Sequence, residues 1–294
     1  MIYRNRTALD FTVNQVPDSP RPASALFASP DYFGVEYVIN PHMEHQVGKV
    51  DKNLAFSQWS SLVQTYQSLG IRTSVVKGIE ALPDMVFCAN QTLPGLDADG
   101  KRIAVLSNMA NPERAGEVKY FERVFAASGY GIRRINRAIE FEGCGDLLWH
   151  PGRRLLWCGH GFRTDVAAAP HLADLFDCRI IVLELTNPAF YHLDTCLCLL
   201  THDTAMIVRS ALTASGQDLI EALIPNVIEV PEKEGLEQFA CNAHCPDGTT
   251  VVIQAGCQTT VARLRERGFE IAEIETSEFI KAGGSVFCMK QMFW

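Results

Sequence analysis

Residues 154–185 read RLLWCGHGFRTDVAAAPHLADLFDCRIIVLEL. The stretch opens on an apolar run (155–159), crosses a polar turn, and continues through Val166, Leu172 and Phe176 as a helix with an apolar face. It closes on a second, β-branched run at 179–185. The order strand, helix, strand recurs on both sides. Upstream, RIAVLS (102–107) leads to a helix carrying Val118, Phe121 and Val124, a stop at Gly129, and IRRI (132–135). Earlier still, EYVIN (36–40) precedes a helix from about Asn53 to Leu69, with Ala55, Trp59, Leu62, Tyr66 and Leu69 on one face, then Gly70 and IRTSVV (71–76). Downstream, AMIV (205–208) is followed by a helix with Leu219, Ile220 and Leu223, a break at Pro225, and VIEV (227–230). Last come TVVIQAG (250–256), a helix with Val261 and Leu264, a stop at Gly268, and EIAEI (270–274). Glycine just past the last periodic residue is the usual way a helix ends.

Such units, spaced at roughly 45 to 60 residues, form an internal period of the kind that marks repeat architectures. Their primary sequences are not alike, and a doubly wound α/β sheet produces a similar alternation. Five units in a cyclic arrangement fit the pattern better. The expected organisation is one α/β domain over residues 26–294, preceded by an extended arm (1–25) that contains the Pro- and Ser-rich VPDSPRPAS.

Composition narrows the function. At 294 residues, 47% hydrophobic and 20% charged, with mean hydropathy near zero, the chain can bury a large core. The formal charge of −8 argues against a nucleic-acid partner, which needs clustered Lys and Arg to displace counterions. No apolar run is long enough for a membrane span and the N-terminus lacks a secretory h-region, so no membrane partner and a cytoplasmic location are expected. The ten cysteines lie mostly in apolar stretches of a chain too large to need a disulfide framework, and read as reduced, buried residues.

Polar residues interrupt the segments between the units: LPDMVFCANQT (82–92), EFEGCGDLL (140–148), GHGFRTD (159–165), FYHLDTC (190–196) and AGGSVFCM (282–289). Around a common axis, these segments can converge into one pocket. Glu142 and Asp146 flank two glycines, a composition suited either to a bend that fixes a carboxylate or to an ordinary polar turn. His192 and Asp194 are two apart and share a side of an extended segment, where a histidine serves as a catalyst or as a hydrogen-bonded core residue. A thiol nucleophile needs a base or a cation, and a base needs an orienting carboxylate; Cys288, His192 and Glu142 can supply the three roles. Cys241, His244 and Cys245 in CNAHC, with Cys196 and Cys198, are soft ligands that suit zinc. Their spacing matches no two-by-two ligand array, and both stretches read as packed strand or loop.

PDMVFCAN, FEGCGD, GFRTD, FYHLDT and AGGSVFC, in that order, resemble the guanidino-modifying enzymes of the pentein, or amidinotransferase, superfamily, with the likeness running from about residue 30 onward. The resemblance implies a five-bladed α/β propeller of ββαβ units. It also implies a hydrolase acting on the guanidinium of free arginine or a derivative, without cofactor or metal. On that likeness Cys288 is the nucleophile, His192 the general acid and base, and Glu142 its orienting carboxylate. Asp194 and Asp84 would hold the substrate, and Arg163 and Arg114 its α-carboxylate. Asn90, where dimethylarginine hydrolases carry an acid, together with Asn40 in INPHM and Ala282, is similar to the arginine dihydrolase branch. Arginine dihydrolase therefore ranks first and dimethylarginine dimethylaminohydrolase second. Arginine deiminase, an amidinotransferase and a non-catalytic guanidino-binding relative follow. Oligomeric state is left open: the terminal MFW suits packing beside the nucleophile or a homo-oligomer contact.

Overall fold

The computed structural model describes residues 1–294. Its strands form five small sheets rather than one wound sheet. In each, the chain runs up a buried central strand, crosses over a helix and returns parallel beside it. The pairs are Ser24–Ala28 with Arg72–Val76, Arg102–Leu106 with Gly131–Arg134, Leu155–His160 with Arg179–Glu184, Thr204–Ile207 with Asn226–Glu229, and Thr250–Gln254 with Glu270–Ile274. Parallel pairing needs such a crossover, and the amphipathic helix that supplies it covers the sheet. The helix Lys52–Ser68 illustrates the local cause. Asp51 accepts hydrogen bonds from the backbone of Asn53 and Leu54, the apolar face of Ala55, Trp59, Leu62, Val63 and Tyr66 is buried, and Gly70 at φ +76° ends the run.

Each central strand also has an antiparallel neighbour on its other side. Thr92–Leu96, Leu147–Trp149 and Leu197–Leu199 fill that position in three sheets, and a bridge from His244 to Val252 marks it in a fourth. In the remaining sheet the neighbour is Gln291–Phe293, which pairs with Ser24–Ala28. This seam fixes the backbone just beyond Cys288.

One expected strand is displaced. EYVIN (36–40) is irregular, and the first central strand is Ser24–Ala28. All five of those residues are buried, so they carry no alternation and were hidden beside the Pro-rich segment. In EYVIN, Glu36 and Val38 are exposed, and Asn40 instead caps the short 3-10 turn Pro41–Met43. The preceding residues are attached to the body: Ile2–Tyr3 pairs with Arg179–Glu184, and Tyr3, Phe11, Val13 and Val16 enter the largest apolar cluster. All ten cysteines are free and buried. No helix is long and apolar enough to cross a membrane.

Candidate active site

The connecting segments bring the candidate residues to one cleft of about 260 Å³. Asn40, Asp84, Asn90, Arg114, Arg163, Ala282 and Cys288 are on its wall. His192, Glu142 and Asp194 sit directly behind that wall, each bonded to one of its members or to one another.

Cys288 follows the Gly283–Gly284 bend, and Asn242 holds it. The Asn242 Oδ1 accepts from the backbone N–H of Ser285 (3.0 Å) and Cys288 (3.2 Å), and its Nδ2 donates to Cys288 Sγ (3.1 Å) and the Asp194 carbonyl (3.2 Å). The thiol donates to Asp194 Oδ2 at 3.1 Å. Burial, then the Asp194 charge, pushes the thiol well above its ordinary value. Burial likewise pushes Asp194 up to about 7, against the pull of the thiol hydrogen bond and of Lys290. The free thiol is therefore neutral, and it shares its proton with a carboxylate poised near neutrality.

A second buried pair lies across from it. His192 Nε2 donates to Glu142 Oε2 at 2.8 Å, and Arg163 NH1 donates to the same oxygen at 3.1 Å. The backbone of Ala110 donates to Glu142 Oε1 at 3.1 Å. Burial alone would raise the Glu142 carboxyl, but the His192 hydrogen bond and the Arg163 cation hold it at about 2. An ionised carboxylate only accepts, so the imidazole carries its proton on Nε2 and leaves Nδ1 free to take another. The FEGCGD glycines make this arrangement possible. Gly143, at φ +43°, lies against the carbonyls of Ala89, Asn90 and Thr92, where a Cβ would come within 2.8 Å of each. A Cβ on Gly145 would come within 2.3 Å of Asn90 Nδ2 and 3.1 Å of the His192 ring. Asp146 supports the same loop, accepting from Thr164 Oγ1 (2.7 Å) and the Leu193 N–H (3.0 Å).

The two arginines are tied differently. Arg114 forks onto Glu117 through Nε (3.1 Å) and NH2 (2.9 Å) and donates through NH1 to Asn90 Oδ1 (2.9 Å). Arg163 reaches Glu142 and the Ile39 carbonyl (2.8 Å), and its guanidinium lies 4.8 Å from the centroid of the Tyr191 ring. Asn40 Nδ2 donates to the Ala282 carbonyl (3.1 Å), pinning the loop that carries the nucleophile. Tyr37 donates to Asp84 Oδ2 (2.9 Å).

Three buried polar atoms here have no partner within the protein: Asp84 Oδ1, Asp194 Oδ1 and Asn90 Nδ2. Buried polar atoms are nearly always paired, and exceptions cluster where a ligand supplies the missing bond. Two acceptors beside a thiol suit a planar cation rich in N–H groups, and the one donor, Asn90 Nδ2, suits an oxygen of the bound molecule. Further polar contacts of the site come from Asn242, Glu117, Thr164, Tyr37 and Tyr191, which sequence reasoning did not single out. Asn242 stands in CNAHC, the stretch weighed for metal; His244 there is bonded to Tyr66 instead, and no group of three His, Cys, Asp or Glu side chains is arranged to hold a metal ion.

The model of the eukaryotic N,N dimethylarginine dimethylhydrolase family matches residues 29–293. The chain is 36% identical over 266 residues to the bifunctional arginine dihydrolase/ornithine cyclodeaminase ArgZ of Synechocystis, covering 90% of this chain and 37% of that protein. The chain thus spans well under half the length of that relative. It is 37% identical over 270 residues to the N(G),N(G)-dimethylarginine dimethylaminohydrolase of Mycobacterium tuberculosis, covering 92% and 85% of the two chains. Among solved structures it superposes on the N-terminal domain of ArgZ, a cysteine-to-serine mutant of this cyanobacterial arginine dihydrolase bound to substrate, with TM-score 0.86 and 34% identity over 92% of this chain and 97% of that one.

Proposed function

The chain belongs to the N,N-dimethylarginine dimethylhydrolase family, and from that premise we propose that it hydrolyses the guanidinium group of free L-arginine as an arginine dihydrolase. The observation that carries the reading is the set of unpaired buried atoms, Asp84 Oδ1, Asp194 Oδ1 and Asn90 Nδ2, around the Cys288 thiol.

A guanidinium is planar and stays charged at physiological pH, and its central carbon is a poor electrophile. Asp194 and Asp84 accept its N–H groups by charge-assisted hydrogen bonds, fixing its plane and bringing that carbon to the sulfur. Arg163, with Arg114 beside it, receives the α-carboxylate. The arriving cation favours the thiolate, so substrate helps to activate its own nucleophile. The thiol proton passes to the free Nδ1 of His192, the thiolate adds to the carbon, the imidazolium gives that proton to the leaving nitrogen, and ammonia departs from the tetrahedral adduct to leave a thiouronium intermediate. Glu142 stabilises the imidazolium each time it forms. Water, deprotonated by His192, then displaces the sulfur and yields the ureido compound.

In a dihydrolase that compound undergoes a second round: the thiolate adds again, a second ammonia leaves, and water releases ornithine and carbon dioxide. Asn90 favours this course, since a carboxamide N–H can hold a ureido oxygen whereas a carboxylate would repel it. The second reading is dimethylarginine dimethylaminohydrolase, favoured by the family match and by the mycobacterial relative.

We further take the five sheets as blades of a pseudo-fivefold α/β propeller within one catalytic domain, whose start moves from residue 26 back to Ser24, the first residue of its first central strand, with the residues before it packed on the domain rather than forming a free arm. The reaction needs no cofactor and is expected in the cytoplasm. Incubation with L-arginine, dimethylarginine, citrulline and agmatine, followed by mass spectrometry, tests the assignment. Ornithine and two ammonia per arginine support it, citrulline and dimethylamine from dimethylarginine support the second reading, and no turnover of any of the four overturns both.

A further inference from the structure

A second cavity, of about 910 Å³ with its mouth, lies back to back with the substrate cleft. The segment after the Gly-Gly bend separates them: Cys288 is on the wall of one, and Phe287 and Lys290 are on the wall of the other. Nothing in the proposed reaction uses this second cavity.

Its lining is chemically one-sided. The chain carries a net charge of −8, yet this wall contains Lys290, Arg21 and Arg153 and no Asp or Glu. Arg153 is paired with Asp18, an exposed residue outside the lining. Arg21 is exposed and makes no side-chain hydrogen bond or ion pair, as is true of Lys290 in the interior. Lys290 is 2% exposed, and its ammonium lies 3.2 Å from the centroid of the Phe287 ring; the Asp194 carboxylate acts on it by charge alone, with no hydrogen bond or ion pair between them. Burial pulls that ammonium down to about 8, so it remains mostly charged at pH 7. Next to it, Gln291 gives its Nε2 to Cys144 Sγ and the Met292 carbonyl, while its Oε1 is buried without a partner. The two histidines of the wall add no charge: burial lowers His150 to about 4 and His244 further, and each ring nitrogen bond runs to the protein. Trp149, Leu199 and Met292 make the rest of the wall apolar.

A buried lysine without a hydrogen-bonded partner is costly, and a cation kept that way on the wall of a cavity is better balanced when a ligand brings a negative charge into contact with it. One interior ammonium matches one negative charge. A dianion would leave half its charge uncompensated among apolar side chains. We propose that this cavity is a binding site for a small monocarboxylate with an apolar body, its carboxylate on Lys290, its hydrocarbon against Trp149, Leu199 and Met292, and Arg21 attracting it at the mouth.

Octanoate is a suitable probe, with octan-1-ol and octylamine as neutral and cationic counterparts of the same body. Trp149 and Trp294 line the cavity, so their fluorescence, backed by titration calorimetry, reports occupancy. Octanoate is expected to bind the full chain at least tenfold more tightly than octanol, with octylamine weaker still. Lys290→Met, which suits an apolar wall, should abolish the preference for octanoate over octanol, and Lys290→Arg should retain it. Arg21→Ala, at the exposed mouth and without risk to the core, should weaken octanoate about threefold. Equal binding of octanoate and octanol by the unmodified protein overturns the proposal, even if the Lys290 variants fail to fold. So does a folded Lys290→Met protein that keeps the preference.

Discussion

Replacing Glu142 by Gln preserves the side chain's shape and removes its charge. Three donors converge on this carboxylate, from His192, Arg163 and the Ala110 backbone. A carboxyl held at about 2 instead of the usual 4.5 has its ionised form favoured by roughly 3 kcal/mol. The interaction with His192 should strengthen when that ring becomes an imidazolium, so most of the loss is expected in kcat. At about 1.4 kcal/mol per factor of ten, kcat should fall by roughly two orders of magnitude. The amide must also turn an NH2 toward a donor, either His192 or Arg163, which adds to the loss. The same carboxylate contributes to stability, with a definite sign. Its folded pKa lies below the unfolded one, so its contribution is fully present above about 4.5 and disappears as pH falls through about 2. Glu142→Gln should therefore melt at a lower temperature than the parent at pH 7, with the deficit narrowing by pH 3.5. Product formation from saturating L-arginine, followed by mass spectrometry beside thermal melting by circular dichroism, measures both. A folded Glu142→Gln protein turning over within threefold of the parent would refute the role given to this carboxylate.

Asp194 provides the opposite sign. Burial pushes its carboxyl up to about 7, so the folded state holds a proton that the unfolded chain has lost, and its contribution to stability declines as pH climbs from about 4 to about 7. Binding of a guanidinium requires the ionised form, so kcat/KM for arginine should rise through the same upper limit. Asp194→Asn should flatten the stability slope and raise KM by roughly ten- to hundredfold, the worth of one or two charge-assisted hydrogen bonds; an unchanged KM counts against Asp194 as a substrate ligand. Asn90→Asp should shift the product mixture from ornithine toward citrulline, and an unaltered ratio removes Asn90 as the determinant of the second round. Gly145→Ala forces a methyl to within 2.3 Å of Asn90 and 3.1 Å of His192. The strain, about 1–3 kcal/mol, should appear as at least a tenfold loss of kcat in a folded protein, and full activity would show that the loop yields freely.

The repeating part of the fold was legible because its helices are amphipathic and end on glycine: Gly70, Gly129 and Gly268 all adopt positive φ where the periodic pattern stops. Strands were legible where β-branched residues ran together, as in RIIVLE. The antiparallel neighbours were not. Leu147–Trp149, Leu197–Leu199 and Gln291–Phe293 are three residues long, too short for either period to register. Ser24–Ala28 escaped because complete burial erases alternation. In the site, charged and nucleophilic residues announced themselves by chemical type within apolar surroundings. Asn242 could not, since its function is to join two loops, 285–288 and 194, through four bonds that exist only once the chain has folded. Glu117 was likewise unreadable: one carboxylate on a helical segment becomes the counter-ion of Arg114 only when both are buried.

The seam between Ser24–Ala28 and Gln291–Phe293 has a consequence for biosynthesis. The two strands lie far apart in the chain, so the edge of Ser24–Ala28 stays open until the far strand has been made. Because Cys288 lies three residues before Gln291–Phe293, alignment of the thiol depends on closing this long-range pairing. Until this seam closes the thiol lacks its Asn242 and Asp194 partners, and a change that breaks the pairing of Gln291–Phe293 should cost the catalyst as well as the sheet.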